Sequence, residues 1–262
     1  MADWNPALYT RFEDERTRPA RDLLARCRFD RHSDGAGLRI ADLGCGPGNS
    51  TALLAERFAE AEITGFETSE AMLAEARRRL PDCRFERGDI GAFAPERPFD
   101  LLFANASLQW VLGHERLVPA LFAHVAPGGL LAVQIPDNLA EPSQTAMRAI
   151  AGEPAFKPFL DGFEEAREAI APRATYYDWL IPEAAEVDVW TTIYEHPMES
   201  AEAITEWFSS TGLKPFIDPL PEPERRMFLD RYTQEMARLY GARADGRRLL
   251  AFPRLFFVAR RR

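Results

Sequence analysis

ADLGCGPGNS, residues 41–50, sets three glycines into five positions directly behind an apolar run. Ahead of it LRIADL (38–43) reads as a strand. Behind it STALLAERFAE (50–60) carries Leu53, Leu54 and Phe58 on one helical face, with Asn49 and Ser50 as the expected caps. Gly44, Gly46 and Gly48 therefore leave bare backbone at the carboxyl end of a first strand, which in an open α/β sheet is where ligands sit. A phosphate-cradling G-x-x-x-x-G-K-[ST] loop is excluded, because Asn49 stands five residues after Gly44 and no lysine follows. A dinucleotide G-x-G-x-x-G turn is excluded too, since the third glycine arrives one residue early, at Gly48.

The flanking sequence extends the βα rhythm. EITGFE (62–67) is a second strand, and Ser69 caps a helix in which Met72, Leu73, Ala76 and Leu80 repeat at helical spacing and arginines complement the C-terminal dipole. CRFERGDI (83–90), FDLLFANA (99–106) and GGLLAVQIP (128–136) are strands three to five, with a helix over 115–125. Prolines at 142, 154, 158, 172 and 182 mark 137–182 as a cap inserted over the sheet's carboxyl edge. AEVDVWTTIYEHP (185–197) alternates like a half-solvated strand, helices follow over 199–212 and 223–241, and LLAFPRLFFVARR closes the chain as a strand. There Pro253 implies an edge or a bulge. The expectation is one α/β domain over 1–262: an N-terminal helical lid (1–30), a ligand-binding half (38–136), the cap, and a C-terminal half of the sheet (183–262).

Composition removes several classes of function. With 32 Lys and Arg against 41 Asp and Glu, a net charge of −9 opposes a nucleic-acid footprint. Cys27, Cys45 and Cys83 lack metal or disulfide spacing, so no metal is expected, and a reducing compartment fits. No apolar leader or membrane-length run occurs, which points to a cytoplasmic protein without a membrane partner. The sequence does not distinguish a monomer from a homodimer.

The remaining pattern, D-x-G-x-G-x-G from Asp42, is that of S-adenosylmethionine-dependent methyltransferases. The methionyl tail of that cofactor bears a carboxylate, which backbone N–H groups at Gly44, Gly46 and Asn49 suit, and an ammonium, which Asp42 suits. Asp42 has a second reading as an anchor for the loop. Glu67, 23 residues after Gly44 at the end of the second strand, is positioned to accept from the ribose hydroxyls. Asp89, with Ile90 beside it, stands at the third strand end and faces adenine, unless Asp89 serves only as a helix cap. Asn105, at the fourth strand end, lines the sulfonium pocket.

Across most of its length the chain resembles the class I S-adenosylmethionine-dependent methyltransferases, and within them those that esterify trans-aconitate. The resemblance rests on DWNPALY, DLGCGPGNSTALL, ITGFETSEAMLAEAR, LPDCRFERGDI, ANASLQW, AVQIPDN, EVDVWTTIYEH, STGLKP and LLAFPRLFFVARR. It implies a Rossmann-like seven-stranded sheet, mostly parallel, with an antiparallel last strand and helices on both faces. It also implies S-adenosyl-L-methionine as donor, S-adenosyl-L-homocysteine as product, and methyl esterification of trans-aconitate or a near polycarboxylate.

Such an acceptor is already ionised at neutral pH, its pKa lying near about 4, so no general base is expected and catalysis falls to alignment and exclusion of water. Arginines must neutralise the carboxylates that do not react; Arg18, Arg173 and Arg254 are the candidates, with Arg254 also readable as a half-exposed edge residue. Gln109 and Trp110 follow the fourth strand on the acceptor side, Tyr176 and Tyr177 suit hydroxyl donation or packing, and Trp4 and Tyr9 suit a lid. His114 and His124 read as surface or packing residues. Two other readings stay open: a different small-molecule acceptor, and a cofactor-binding protein without turnover.

Overall fold

In the computed structural model of the protein, the described residues are 13–29, 34–160, 169–209 and 211–262. Trp4 and Tyr9 lie outside them, as do 161–168 of the expected cap.

Seven strands form one sheet in the order β3-β2-β1-β4-β5-β7-β6. They are β1 (Arg39–Leu43), β2 (Glu62–Glu67), β3 (Arg84–Arg87), β4 (Phe99–Asn105), β5 (Val125–Pro136), β6 (Ala184–Met198) and β7 (Arg248–Arg261). β1 pairs in parallel with β2 and β4, β2 with β3, and β4 with β5. The last strand is antiparallel, so the sheet is of the expected class. Parallel strands need crossovers and bury both faces, which is why β1, β4 and β5 read as near-continuous apolar runs. Leu43, Leu102, Ala104, Val133 and Ile135 all join one buried cluster.

Order and register locate the functional rim. The chain winds outward from β1 through β2 to β3, then returns to place β4 on the other side of β1. The carboxyl ends of β1 and β4 thus flank a topological switch point, the crevice where doubly wound sheets bind ligands.

β3 is shorter than the sequence suggests. It ends at Arg87, and Asp89 instead caps a 3₁₀ turn over Ile90–Ala92, its Oδ1 accepting from Gly91 N at 2.8 Å. Of the two readings of Pro253, the edge is excluded, because β7 is an interior strand between β5 and β6. The carbonyl of Pro253 accepts from Asp137 N at 2.9 Å, one residue past the end of β5 at Pro136. In an antiparallel ladder a residue's N–H and C=O face the same side, so the missing N–H faces the place where β5 has already ended.

The chain divides into two compact units, one of residues 1–136, 170–192 and 255–262, the other of 137–169 and 193–254. In the second, helix Glu222–Leu239 buries Phe228, Tyr232 and Met236, and Ser143 is held at both ends: Tyr232 Oη donates to its carbonyl, and its N–H donates to Tyr240 Oη. Among the described residues no helix is long and apolar enough to cross a membrane.

Candidate functional site

The three glycines of the loop after β1 answer to three different constraints. Gly44 has φ +73°, and a Cβ there would lie 2.4 Å from Ser107 Cβ, so its bareness admits the corner that follows β4. Gly48, at φ +91°, is the left-handed N-cap of helix Asn49–Arg57, the position that sequence alone gave to Asn49 or Ser50. Gly46, at φ +54°, has nothing within 4 Å of where its Cβ would point. Of the three, Gly46 is the one whose missing side chain leaves open space.

Loop amides are already engaged within the chain. Gly44 N and Cys45 N both donate to Phe66 O, at 2.8 and 3.0 Å, and Gly48 N donates to Cys45 O at 3.0 Å. Gly46 N donates to Glu67 Oε2 at 3.2 Å. Glu67 Oε1 accepts from Thr68 N at 2.8 Å, Ser69 N at 3.0 Å and Thr68 Oγ1 at 3.2 Å. The carboxylate is therefore oriented at the rim beside Gly46, as the sequence suggests. A carboxylate offers about four acceptor sites. Gripping two hydroxyls at once requires at least one present partner to let go, and the two longest bonds, from Gly46 N and Thr68 Oγ1, are the weakest held.

Asp42 turns out to serve the loop first. It is fully buried, and its Oδ2 accepts from Ser50 Oγ and Thr51 Oγ1, both at 2.7 Å. This puts a carboxylate under the first turn of Asn49–Arg57, a helix with no acidic residue of its own there. Burial raises its pKa to about 6, against the lowering effect of the two hydroxyls, with the Glu67 charge adding a smaller upward push. Its Oδ1 has no partner among the described residues.

Between the ends of β1 and β4 lies an open cleft lined by Thr17, Gly44, Gly46, Asn49, Asn105 and Ala106 among others. Asn49 Oδ1 accepts from Arg79 Nη1. Because a guanidinium only donates, this fixes the amide so that Nδ2 is the other atom, and Nδ2 is buried with no partner among the described residues. Asn105 adds a second buried amide atom, its Oδ1, without a partner among the described residues, and no hydrogen bond fixes which end of that amide faces inward. Two amide side chains lining the same cleft thus each hold a buried polar atom in want of a partner, and buried polar groups of this kind ordinarily find one.

The corner after β4 is held at several points. Ala106 has φ +52°, the one positive value among the described non-glycine residues, a strain of about 1–3 kcal/mol. Its N–H donates to Gln134 O at 3.0 Å, and its carbonyl accepts from Gln109 Nε2 at 2.6 Å. Ser107 Oγ donates to Leu43 O at 2.7 Å. His114 Nε2 meets Leu108 O at 2.9 Å and Nδ1 meets Tyr176 Oη at 2.7 Å. A carbonyl only accepts, so Nε2 carries the proton, and in the neutral ring Nδ1 accepts from the tyrosine.

Among the acceptor-side candidates, Gln109 is 7% exposed and directs its amide nitrogen into its own turn, while Trp110 is exposed at 38%. Tyr176 is completely buried, stacked on Phe257 at 5.2 Å and bonded to His114, which makes it a core residue; Tyr177 beside it is exposed. Arg18 is exposed on helix Glu13–Leu24, next to cleft-lining Thr17. Arg173 donates to Thr191 Oγ1 at 3.2 Å. Arg254 is 4% exposed, not half-exposed, with its guanidinium 4.6 Å from the Phe252 ring centre and 6.0 Å from that of Tyr194. It lies in the second compact unit. Asp89 is engaged as the cap described above, and Ile90 packs against the core with Cδ1 3.3 Å from the position of a Cβ on Gly44.

The sequence reading missed Thr17, Arg79 and Ala106. Only the hydroxyl pair Ser50–Thr51, eight and nine residues after a buried-strand aspartate, carried a readable signal of what Asp42 does.

The chain is similar along its whole length to proteins of known family. A family model described as a methyltransferase domain matches residues 40–129. The chain is 57% identical to the trans-aconitate 2-methyltransferase of Paracidovorax citrulli (strain AAC00-1), covering 100% of this chain and 99% of that protein. It is 53% identical to that of Variovorax paradoxus (strain S110), covering 100% of both. At the level of fold it matches Haemonchus contortus phosphoethanolamine N-methyltransferase 2, solved in complex with S-adenosyl-L-methionine, with a TM-score of 0.54 and 15% identity over 93% of this chain and 52% of that one.

Proposed function

The chain belongs to the trans-aconitate 2-methyltransferase family, and on that premise we propose that it transfers a methyl group from S-adenosyl-L-methionine to a carboxylate of trans-aconitate. The observation that carries the cofactor half is the pair of orphaned atoms on one cleft, Asn49 Nδ2 and Asn105 Oδ1. The Asn49 donor suits the carboxylate of an amino-acid tail, and the Asn105 amide can turn its oxygen to the ammonium. Open space at Gly46 and the Glu67 carboxylate beside it suit the adjoining ribose. The residues present therefore fit the cofactor, and in this reading Gly46, Asn49 and Asn105 hold its amino-acid end while Glu67 holds its sugar, with Gly44 shaping the loop and Asp89 and Ile90 bordering the base.

The cofactor supplies a methyl group on a positively charged sulfur, an electrophile that needs no activation. An acceptor carboxylate with a pKa near about 4 is ionised at neutral pH, so no side chain has to remove a proton. What the chain contributes is alignment of the attacking oxygen and a dry site in which opposite charges are not held apart by water. In this proposal Trp110 and Tyr177 border the acceptor, and Arg18 offsets the carboxylates that do not react. Arg173 and Tyr176, engaged elsewhere, fall to supporting roles.

The test is incubation with methyl-labelled S-adenosylmethionine over a panel of di- and tricarboxylates. Base-labile label on trans-aconitate is the expected result. Label on another acceptor, or label stable to base, would move the assignment to a different methyl transfer.

A further inference from the structure

Ala106 lines the cleft and holds a left-handed backbone that alanine does not favour. Two of the contacts that keep it there come from the sheet and its neighbour. Its N–H continues the β4–β5 ladder at Gln134, where Asn105 is already paired, and Ser107 is bonded to Leu43 O and packed on Gly44. The third is different in kind. Gln109 reaches back three residues from the Leu108–Trp110 turn to donate to the Ala106 carbonyl at 2.6 Å, from a side chain that is 7% exposed.

We propose that Gln109 is a positioning residue for cofactor binding: it locks the Ala106 peptide in its left-handed conformation and so holds Asn105 in the orientation the cleft requires. The proposal rests on the reading of this cleft as the S-adenosylmethionine site. It departs from the expectation, drawn from sequence, that Gln109 touches the acceptor. The amide nitrogen that a carboxylate acceptor would need is engaged with a main-chain carbonyl, and the residue acts through its neighbour.

The chemistry offers a direct test, because glycine adopts positive φ without the Cβ penalty. If Gln109 acts by holding Ala106 in place, loss of its hydrogen bond is repaired by making that conformation cheap. Binding of S-adenosylhomocysteine is measured by calorimetry for the wild type, Gln109→Leu, the double variant Gln109→Leu/Ala106→Gly, and Ala106→Val. Gln109→Leu is expected to weaken binding about tenfold, the effect of one lost hydrogen bond, and the double variant to return to within about threefold of wild type. Ala106→Val, which leaves Gln109 intact but opposes positive φ, is expected to weaken binding similarly and serves if Gln109→Leu does not fold.

A role confined to packing would lower the melting temperature of Gln109→Leu without glycine rescue, and a role as acceptor ligand would raise the acceptor KM with cofactor affinity unchanged. Either outcome overturns the proposal, as does wild-type affinity in Gln109→Leu or in Ala106→Val. A wild-type protein that fails to bind S-adenosylhomocysteine removes the underlying reading of the cleft and this proposal with it, whereas a binding wild type with an unaffected Gln109→Leu removes only the proposal.

Discussion

Glu67 Oε2 accepts a hydrogen bond from the Gly46 N–H at 3.2 Å, tying the end of β2 to the one glycine of the loop that faces open space. The acid expected to hold the sugar and the bare backbone expected to hold the amino-acid moiety are thus neighbours, although 21 residues separate them in sequence. Glu67→Gln keeps the shape and removes one acceptor oxygen together with the charge. Hydrogen bonds to a charged group contribute about 1.5–3 kcal/mol, so S-adenosylhomocysteine affinity is expected to fall roughly 10- to 100-fold. Equilibrium dialysis checks this, and affinity within twofold of wild type, on the order of experimental scatter, would remove Glu67 from the site.

Asp42 gives a pH signature. Its folded-state pKa lies at about 6 against an ordinary 3.8, raised chiefly by burial, so the folded chain binds its proton more tightly than the unfolded one. The associated stability is fully present below about pH 4 and is lost as pH rises through about 6, an effect on the order of 3 kcal/mol. Asp42→Asn retains an oxygen to accept from Ser50 and Thr51 but does not titrate. The stability difference between Asp42→Asn and wild type is expected to shift in favour of the variant from pH 4 to pH 7 in urea titrations. A difference that stays flat over that window would show that Asp42 titrates normally.

Gly44 is predicted to be structural in a way Gly46 is not. In Gly44→Ala the new methyl meets Ser107 Cβ at 2.4 Å on a backbone at φ +73°. Overpacking and left-handed strain together cost about 2–4 kcal/mol, read as a fall in melting temperature. An unchanged melting temperature would mean that the corner after β4 shifts freely.

Tyr176 separates core from site. Tyr176→Phe leaves His114 Nδ1 without its partner in the interior and is expected to cost about 1–3 kcal/mol of stability, with the acceptor KM unchanged. A raised KM at unchanged stability would return Tyr176 to the acceptor wall.

What was legible in the sequence follows from the range of the interactions. Strands β1, β2, β4 and β5, the glycine loop and Glu67 could be read because local periodicity and one loop spacing determine them. Gly44 could not be assigned its role, since the reason for its bareness is Ser107, 63 residues away in sequence and adjacent only through β1–β4 pairing. Tyr176 and Tyr177 are neighbours of one type, and only the four-residue step from Tyr176 to buried Leu180 hints at which one turns inward. Pro253, which lacks a donor, was read as an edge or a bulge, but where β5 ends and β7 runs on, the strand can stay interior without that donor. The left-handed turn at Ala106 has no sequence signal, because alanine is the residue least suggestive of it.

The central claim is that the space over Gly46 is where the cofactor sits, and calorimetric titration of S-adenosylhomocysteine into wild type and Gly46→Val, side by side, tests it most directly. The wild type is predicted to bind at one site per chain, and Gly46→Val to melt cooperatively yet give no binding heat, because its side chain occupies that space. Equal binding by both proteins, or none by the wild type, would contradict the account.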